Sequence, residues 1–187
     1  MERLRSKITR ACAQRAEFRD SSPVFGDGPV PCGLMVIGEA PGRDETRFGR
    51  PFVGRAGGFF VAILEESFGM KREGFYITNV VKVWPNLPTK RKKTRKPLKE
   101  EEEFFIPFLE EEIKMVAPRV ILAVGRTAFS ALAPDKDFIP GEWAERDGVP
   151  VMPVYHPSYI LRKQKSLQES LKALKKSLGK VRRKLEE

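Results

Sequence analysis

His156 is the only histidine in a chain of 187 residues. It stands in VPVMPVYHPSYILR (149–162), directly after an apolar run and directly before a proline. A lone imidazole at a strand end is ordinarily a hydrogen-bonded core residue. It can also be a fixed donor aimed at developing negative charge. Metal ligation is disfavoured, because no second histidine and few thiols are available. GEAPGRDE (38–45) is neither a P-loop nor a G-x-G-x-x-G fingerprint. Gly38 and Gly42 permit a tight turn that aims N–H groups inward, Pro41 stiffens it, and Glu39 and Glu45 place two carboxylates at its mouth. The acids of such a turn can equally well cap it and face water. GRPFVGRAGG (49–58) isolates Phe52 between glycines. An aromatic there either plugs a core or stacks on a planar base, an interaction worth roughly 1–3 kcal/mol. Asn79, near the end of FYITNVV, carries both a carbonyl and an amino group. It can read a donor–acceptor edge or satisfy its own backbone.

These residues need elements to hold them. Four compact apolar runs read as buried strands: LMVIG (34–38), FYITNVV (75–81), RVILAVG (119–125) and VMPVY (151–155). Helical spacing fills the intervals. GGFFVAILEESFG (57–69) closes on Gly69, with the helix starting at about Ala56. PLKEEEEFFIPFLEEEIKMVAP (97–118) has acids in its first turn and Lys114 near its end, and Pro107 predicts a kink or break. RTAFSALAP (126–134) stops at Pro134. The tail repeats Leu167, Leu171, Leu174, Leu178, Val181 and Leu185, which predicts a basic amphipathic helix over about 163–185. Packing on the sheet is its simplest use, and a DNA or partner contact is the alternative. Alternating strands and helices predict one α/β domain over 1–187: a three-layer α/β/α sandwich around a central four-stranded parallel sheet. In such sheets, sites lie beyond the carboxyl ends of the strands, where strand order reverses. GEAPGRDE, Asn79 and His156 should therefore converge.

Composition narrows the classes. The net charge is +10, from 35 Lys and Arg against 25 Asp and Glu. Six of the seven residues in KRKKTRK (90–96) are cations, and the tail is strongly basic. Such charge suits a polyanion, though a solvated surface has the same composition. No run approaches a membrane span, and the N-terminus lacks the apolar segment of a secretory signal, so a cytoplasmic protein without membrane association is expected. Two cysteines, Cys12 and Cys32, exclude a disulfide framework and a self-contained four-thiolate site.

Taken in order, GEAPGRDE, GRPFVGRAGG, YITNVVK and HPSYILR resemble the uracil-DNA glycosylase superfamily, and within it family 4. The resemblance runs from about residue 24 to about 162. It implies base flipping into a snug pocket and hydrolysis of the N-glycosidic bond of uracil in DNA, leaving an abasic site. By resemblance, Phe52 stacks on uracil, Asn79 bonds its polar edge, and Gly38 and Ala40 line the base pocket. His156 stabilises charge on the departing ring. Ala40 stands where another branch of the superfamily has an aspartate that orients water, so Glu39 or Glu45 is left for that role. Ile160, Leu161 and Arg162 follow His156 at the spacing of an intercalating loop. Ser158 and Arg162 are expected to contact phosphate.

The chain departs from family 4 in two places. That family holds an iron–sulfur cluster on four cysteines. Here Cys12 occupies the first position, while Arg15, Val83 and Phe105 occupy the others, so no cluster and no metal are expected. The loop 84–97 is longer and more basic than is usual. It resembles a branch that traps DNA covalently through a histidine, but Thr94 stands near that position. Lys90, Arg91, Lys92, Lys93 and Arg95 are therefore expected to grip phosphates. A non-catalytic uracil- or damaged-DNA-binding module, or a glycosylase shifted to hypoxanthine or xanthine, are the alternatives. A monomer is expected, and the sequence names no replication or repair partner.

Overall fold

The computed structural model describes residues 1–19, 21–86, 94–162 and 166–187. Its centre is a five-stranded sheet in the order β2-β1-β3-β5-β4. The strands are β1 (Leu34–Gly38), β2 (Tyr76–Asn79), β3 (Val120–Val124), β4 (Ala144–Arg146) and β5 (Val149–Val154). β2, β1, β3 and β5 are parallel, and β4 is antiparallel to β5. The helices are α1 (Glu2–Gln14), α2 (Arg43–Phe48), α3 (Arg55–Phe68), α4 (Lys99–Val116), α5 (Arg126–Leu132), α6 (Pro157–Arg162) and α7 (Leu167–Glu186).

The strands are continuous apolar runs because both faces of the sheet are covered. Along β1, Leu34 and Val36 enter a cluster with Phe60 and Leu64 of α3 and Leu174, Leu178 and Val181 of α7. Met35 and Ile37 point the other way, into a cluster with Leu4 and Ile8 of α1, Phe105 and Leu109 of α4, and Phe129 of α5. The tail helix thus spends its apolar stripe on the sheet. Among the described residues no helix is long and apolar enough to cross a membrane.

The expected sandwich is present, with corrections. The sheet has five strands, not four, and is not wholly parallel. The missed strand β4 joins β5 through Asp147 and Gly148, at φ 50° and 81°. Two positive φ values make a type I′ turn, so the Asp-Gly pair was a readable hairpin signal. α4 runs through Pro107 without a break. Pro107 and Glu103 are both exposed, so the carbonyl that Pro107 cannot serve turns to water. The tail helix begins at Leu167 rather than near 163, and α6 is separate from it. α1 and α2 were not anticipated.

Chain order reverses between β1 and β3: β2 lies on one side of β1, while β3 and β5 continue on the other. The crevice beyond the carboxyl ends of β1 and β3 is where such a sheet can hold a ligand.

Candidate active site

A cavity of about 540 Å³ opens at that crevice. Glu39, Ala40, Glu45, Phe52, Asn79 and His156 all line it. The ends of β1, β2 and β5 meet there because they leave the same edge of the sheet, and the turn between α2 and α3 folds Phe52 against them.

Phe52 forms one wall and is 6% exposed. Its φ is +57°, a conformation that costs a bulky residue of order 1–3 kcal/mol. The surroundings enforce it. The Arg72 guanidinium donates to the Pro51 carbonyl at 2.5 Å. Arg72 and Arg50 both reach Asp27, at 3.5 and 2.5 Å. On the far side, Gly57 lies so close that a Cβ there would be 2.5 Å from Phe52 Cα. Gly38 is needed for the same reason: its Cβ would collide with Asn79 Oδ1 and come within 2.7 Å of the Phe52 ring. Gly38 thus shapes the Phe52 wall by absence and does not itself line the cavity.

Asn79 ends β2, in register with Gly38. Its side chain is 3% exposed, and among the described residues its amide has no hydrogen-bond partner. Its backbone carbonyl accepts from Lys82 Nζ at 2.6 Å. Lys82 also donates to Thr78 Oγ1 at 2.8 Å and to Glu112 Oε2 at 2.6 Å, and Tyr76 donates to Glu112 Oε1 at 2.8 Å. This saturated network, unforeseen from the sequence, fixes the strand end behind Asn79. Burial, followed by the Glu112 charge, pushes the Tyr76 hydroxyl pKa up, so it remains a donor.

His156 follows β5, and Gly125 after β3 makes room for it: a Cβ there would be 3.2 Å from His156 Cβ. The Ser158 backbone N–H donates to His156 Nδ1 at 3.2 Å, and Ser158 Oγ lies 2.8 Å from the same atom. A backbone N–H can only donate, so Nδ1 is an acceptor and the ring hydrogen resides on Nε2. Burial lowers the imidazole pKa below its ordinary value; Glu39 and Glu45 oppose the shift and Arg162 adds to it. The neutral ring therefore presents a single N–H donor at Nε2.

The two carboxylates differ. Glu45 is committed on both oxygens, accepting from Gly54 N–H at 2.9 Å and Gly42 N–H at 3.1 Å. It ties the two glycine loops together and is a brace rather than a free base. Glu39 accepts from Thr127 Oγ1 at 2.6 Å through Oε2, while Oε1 has no protein donor among the described residues. Thr127 was missed; it opens α5 after the β3 turn, on the crevice side.

The expected DNA contacts divide. Arg162 lines the cavity rim and is exposed. Ser158 also lines the rim, but its hydroxyl is engaged with His156 rather than turned to phosphate. Ile160 is 1% exposed in the core, so it cannot act as a wedge; Leu161 is the half-buried apolar residue of α6. Arg95 reaches the cavity, but its guanidinium forks onto Glu101 with two contacts of 2.7 Å and is not a free cation. Lys90, Arg91, Lys92 and Lys93 lie outside the described residues. Arg43, Arg55 and Lys96 add charge to the rim that sequence reasoning did not assign.

The residues where family 4 relatives hold a cluster do not fit one. Cys12, Val83 and Phe105 share one buried apolar cluster. Phe105 is packed by Phe18 and Phe104 at 5.4 and 4.8 Å, and the Arg15 guanidinium sits 4.8 Å from the Phe104 ring. Burial pushes the Cys12 thiol up to about 11, which disfavours the thiolate that a metal requires. Cys32, the other thiol, donates to the Leu34 carbonyl at 3.3 Å. Among the described residues no group of three or more His, Cys, Asp or Glu could hold a metal ion.

Residues 25–179 match the model of the uracil DNA glycosylase superfamily. A type-4 uracil-DNA glycosylase of Thermotoga maritima is 36% identical over 169 residues, covering 87% of this chain and 83% of that protein. A type-4 enzyme of Pyrobaculum aerophilum is 36% identical over 155 residues, covering 75% and 74%. A type-5 uracil-DNA glycosylase of the same organism is 31% identical over 155 residues, covering 73% and 66%. With a family match over most of its length, and with Phe52, Asn79 and His156 gathered at one crevice, this chain belongs to the uracil DNA glycosylase superfamily.

Proposed function

We propose that the chain is a monofunctional uracil-DNA glycosylase. The observation that carries this is the convergence of an aromatic face, an unpartnered buried amide and a single imidazole N–H donor on one cavity beside a carboxylate. A flipped uracil stacks on Phe52. Asn79 Oδ1 accepts from the base N3–H, and Nδ2 donates to its adjacent carbonyl oxygen. Cytosine presents an acceptor and an amino group along that edge, so the same amide orientation leaves both contacts unmade.

The bond that breaks joins uracil N1 to the sugar C1′. Its electron pair moves into the ring and onto a carbonyl oxygen. His156 Nε2–H, already oriented by Ser158, donates to that oxygen as charge develops. Such preorganised donors are usually the largest catalytic term. A water held by Glu39 Oε1 attacks the oxocarbenium-like carbon, and its proton passes to the carboxylate or to solvent. The products are free uracil and an abasic deoxyribose. Rim cations Arg43, Arg55 and Arg162 hold phosphates.

The test is strand cleavage after alkali, on single- and double-stranded oligonucleotides carrying uracil, hypoxanthine or xanthine. Cleavage confined to uracil is expected. Retarded mobility without cleavage would make the protein a binding module instead. Cleavage at a purine but not at uracil would overturn the base assignment.

A further inference from the structure

Helix α6 separates three environments. Ser158 and Arg162 face the cavity, Ile160 enters the core, and Tyr159 packs on Tyr155, the residue just before His156. The two phenol rings are stacked, with centroids 4.9 Å apart and planes 26° apart. Phe138 meets Tyr155 edge-on at 6.1 Å and is backed by Phe129 at 5.8 Å. The Arg126 guanidinium lies 5.0 Å from the Phe138 centroid. Tyr155 is nonetheless 40% exposed, and Ile139, which lines the same surface hollow, is 46% exposed. Scattered apolar residues on a surface are ordinary; a contiguous run of rings beside a ligand cavity is not.

We propose that Tyr155, stacked on Tyr159, is a platform for the base adjacent to the extruded nucleotide in an unpaired stretch of DNA. The proposal rests on the glycosylase reading above. A strand that delivers one nucleotide to the cavity passes α6 at Ser158 and Arg162, which brings its next base over Tyr155. Charge selects a polyanion over an apolar peptide: Arg126, over the Phe138 ring, and Arg162, on the same helix as Tyr159, are both exposed cations. Every base has a flat face, so the platform is indifferent to sequence. In a duplex the neighbouring base is already paired and stacked, and gains little by moving. The consequence is a binding preference for uracil in single strands.

The experiment uses single-stranded oligonucleotides with a tetrahydrofuran abasic analogue at the centre, so the base cavity contributes nothing to the comparison. The base next to it is retained, or replaced by a second analogue on the 5′ or the 3′ side. Wild type should lose about tenfold in affinity on one side only. Tyr155→Leu should lose the same factor when the neighbour is intact and nothing further when it is absent. Tyr155→Trp should bind at least as tightly as wild type. The salt dependence of Kd should not change in Tyr155→Leu, since no phosphate contact is removed.

An equal loss in Tyr155→Leu with and without the neighbouring base would overturn the platform. So would a wild-type affinity indifferent to both neighbours, or equal affinity for a fully paired duplex. Should Tyr155→Leu fail to fold, the wild-type series and Tyr155→Trp decide alone. Uracil release by wild type is measured separately. Its absence would sink the glycosylase reading, whatever the neighbour series gives.

Discussion

Asn79 and Lys82 are three residues apart, both almost fully buried, and opposite in how their polar atoms are used. Lys82 Nζ meets three acceptors: Thr78, the Asn79 carbonyl and Glu112. The Asn79 amide meets none among the described residues and opens onto the cavity instead. The fold therefore spends good geometry on the support and leaves bonding capacity unspent on the side facing the cavity. Lys82 holds the strand end; in the glycosylase reading, the flipped base completes the Asn79 amide. The Phe52 wall is also braced from behind, by Arg72 Nη2 on the Pro51 carbonyl and Asp27, although Arg72 Nε is buried without a partner among the described residues.

The largest effect should come from breaking the support. Lys82→Met strands the Glu112 carboxylate in the core and should cost about 3–5 kcal/mol, read as the urea midpoint at constant m-value. The double variant Lys82→Met, Glu112→Leu should recover part of it. Full stability in the single variant would remove the contrast. On the cavity side the signs reverse. His156→Ala should lower the single-turnover rate about 10²–10³-fold, the typical loss for one charge-stabilising donor. Asn79→Ala should lower rate and base discrimination strongly while leaving stability little changed, because no hydrogen bond of its amide to the described residues is lost. A variant of either residue that keeps full activity would refute the site.

How much of this was readable follows from which interactions are local. The four parallel strands are short apolar runs, visible because two covered faces demand unbroken hydrophobicity. As cavity-lining residues, Glu39 and His156 could be picked out because glycine or proline punctuates the loops that follow their strands, Asn79 because it ends an apolar run, and Phe52 because glycines flank it between α2 and α3. The network behind Asn79 was invisible, since Lys82 and Glu112 are 30 residues apart and each looks like a surface residue until the chain folds. Glu45 was misjudged for a similar reason. A carboxylate beside Glu39 reads as chemistry, but its partners are backbone N–H groups of Gly42 and Gly54, which carry no side-chain signature. Ile160 and Leu161 are adjacent apolar residues, and only the rotation of α6 decides which is buried. β4 had a signal, the Asp147-Gly148 pair, but its three residues have no apolar run to announce a strand.

Coupling through the backbone is a finer test of support against site. Phe52→Ala should cost the stacking of one base, about 1–3 kcal/mol of transition-state binding. Arg72→Leu should approach that loss in kcat/KM, because the Pro51 carbonyl is released and Phe52 relaxes from its positive φ. In the Phe52→Ala background Arg72→Leu should add little to the kinetic loss, while its cost in thermal stability persists. Additive kinetic losses would show that Arg72 acts elsewhere.

The smallest effect concerns the proton on His156. Burial lowers its pKa below the ordinary 6.5, so the unfolded chain takes up this proton at a higher pH than the folded one. The stability linked to His156 is therefore complete above about 6.5 and declines as pH falls toward the folded pKa. Activity should follow in the same direction, since protonating Nδ1 destroys the contact from the Ser158 N–H. The acid limb of the rate profile should lie below 6.5. Ser158→Ala removes the hydroxyl beside Nδ1 but keeps the N–H contact, and weakens the neutral form by the worth of one hydrogen bond. The acid limb should then move upward by less than about one pH unit. If Ser158 holds a phosphate instead, the substitution will raise KM and flatten the salt dependence while the limb stays in place. The direction of that movement decides whether Ser158 serves the imidazole or the strand.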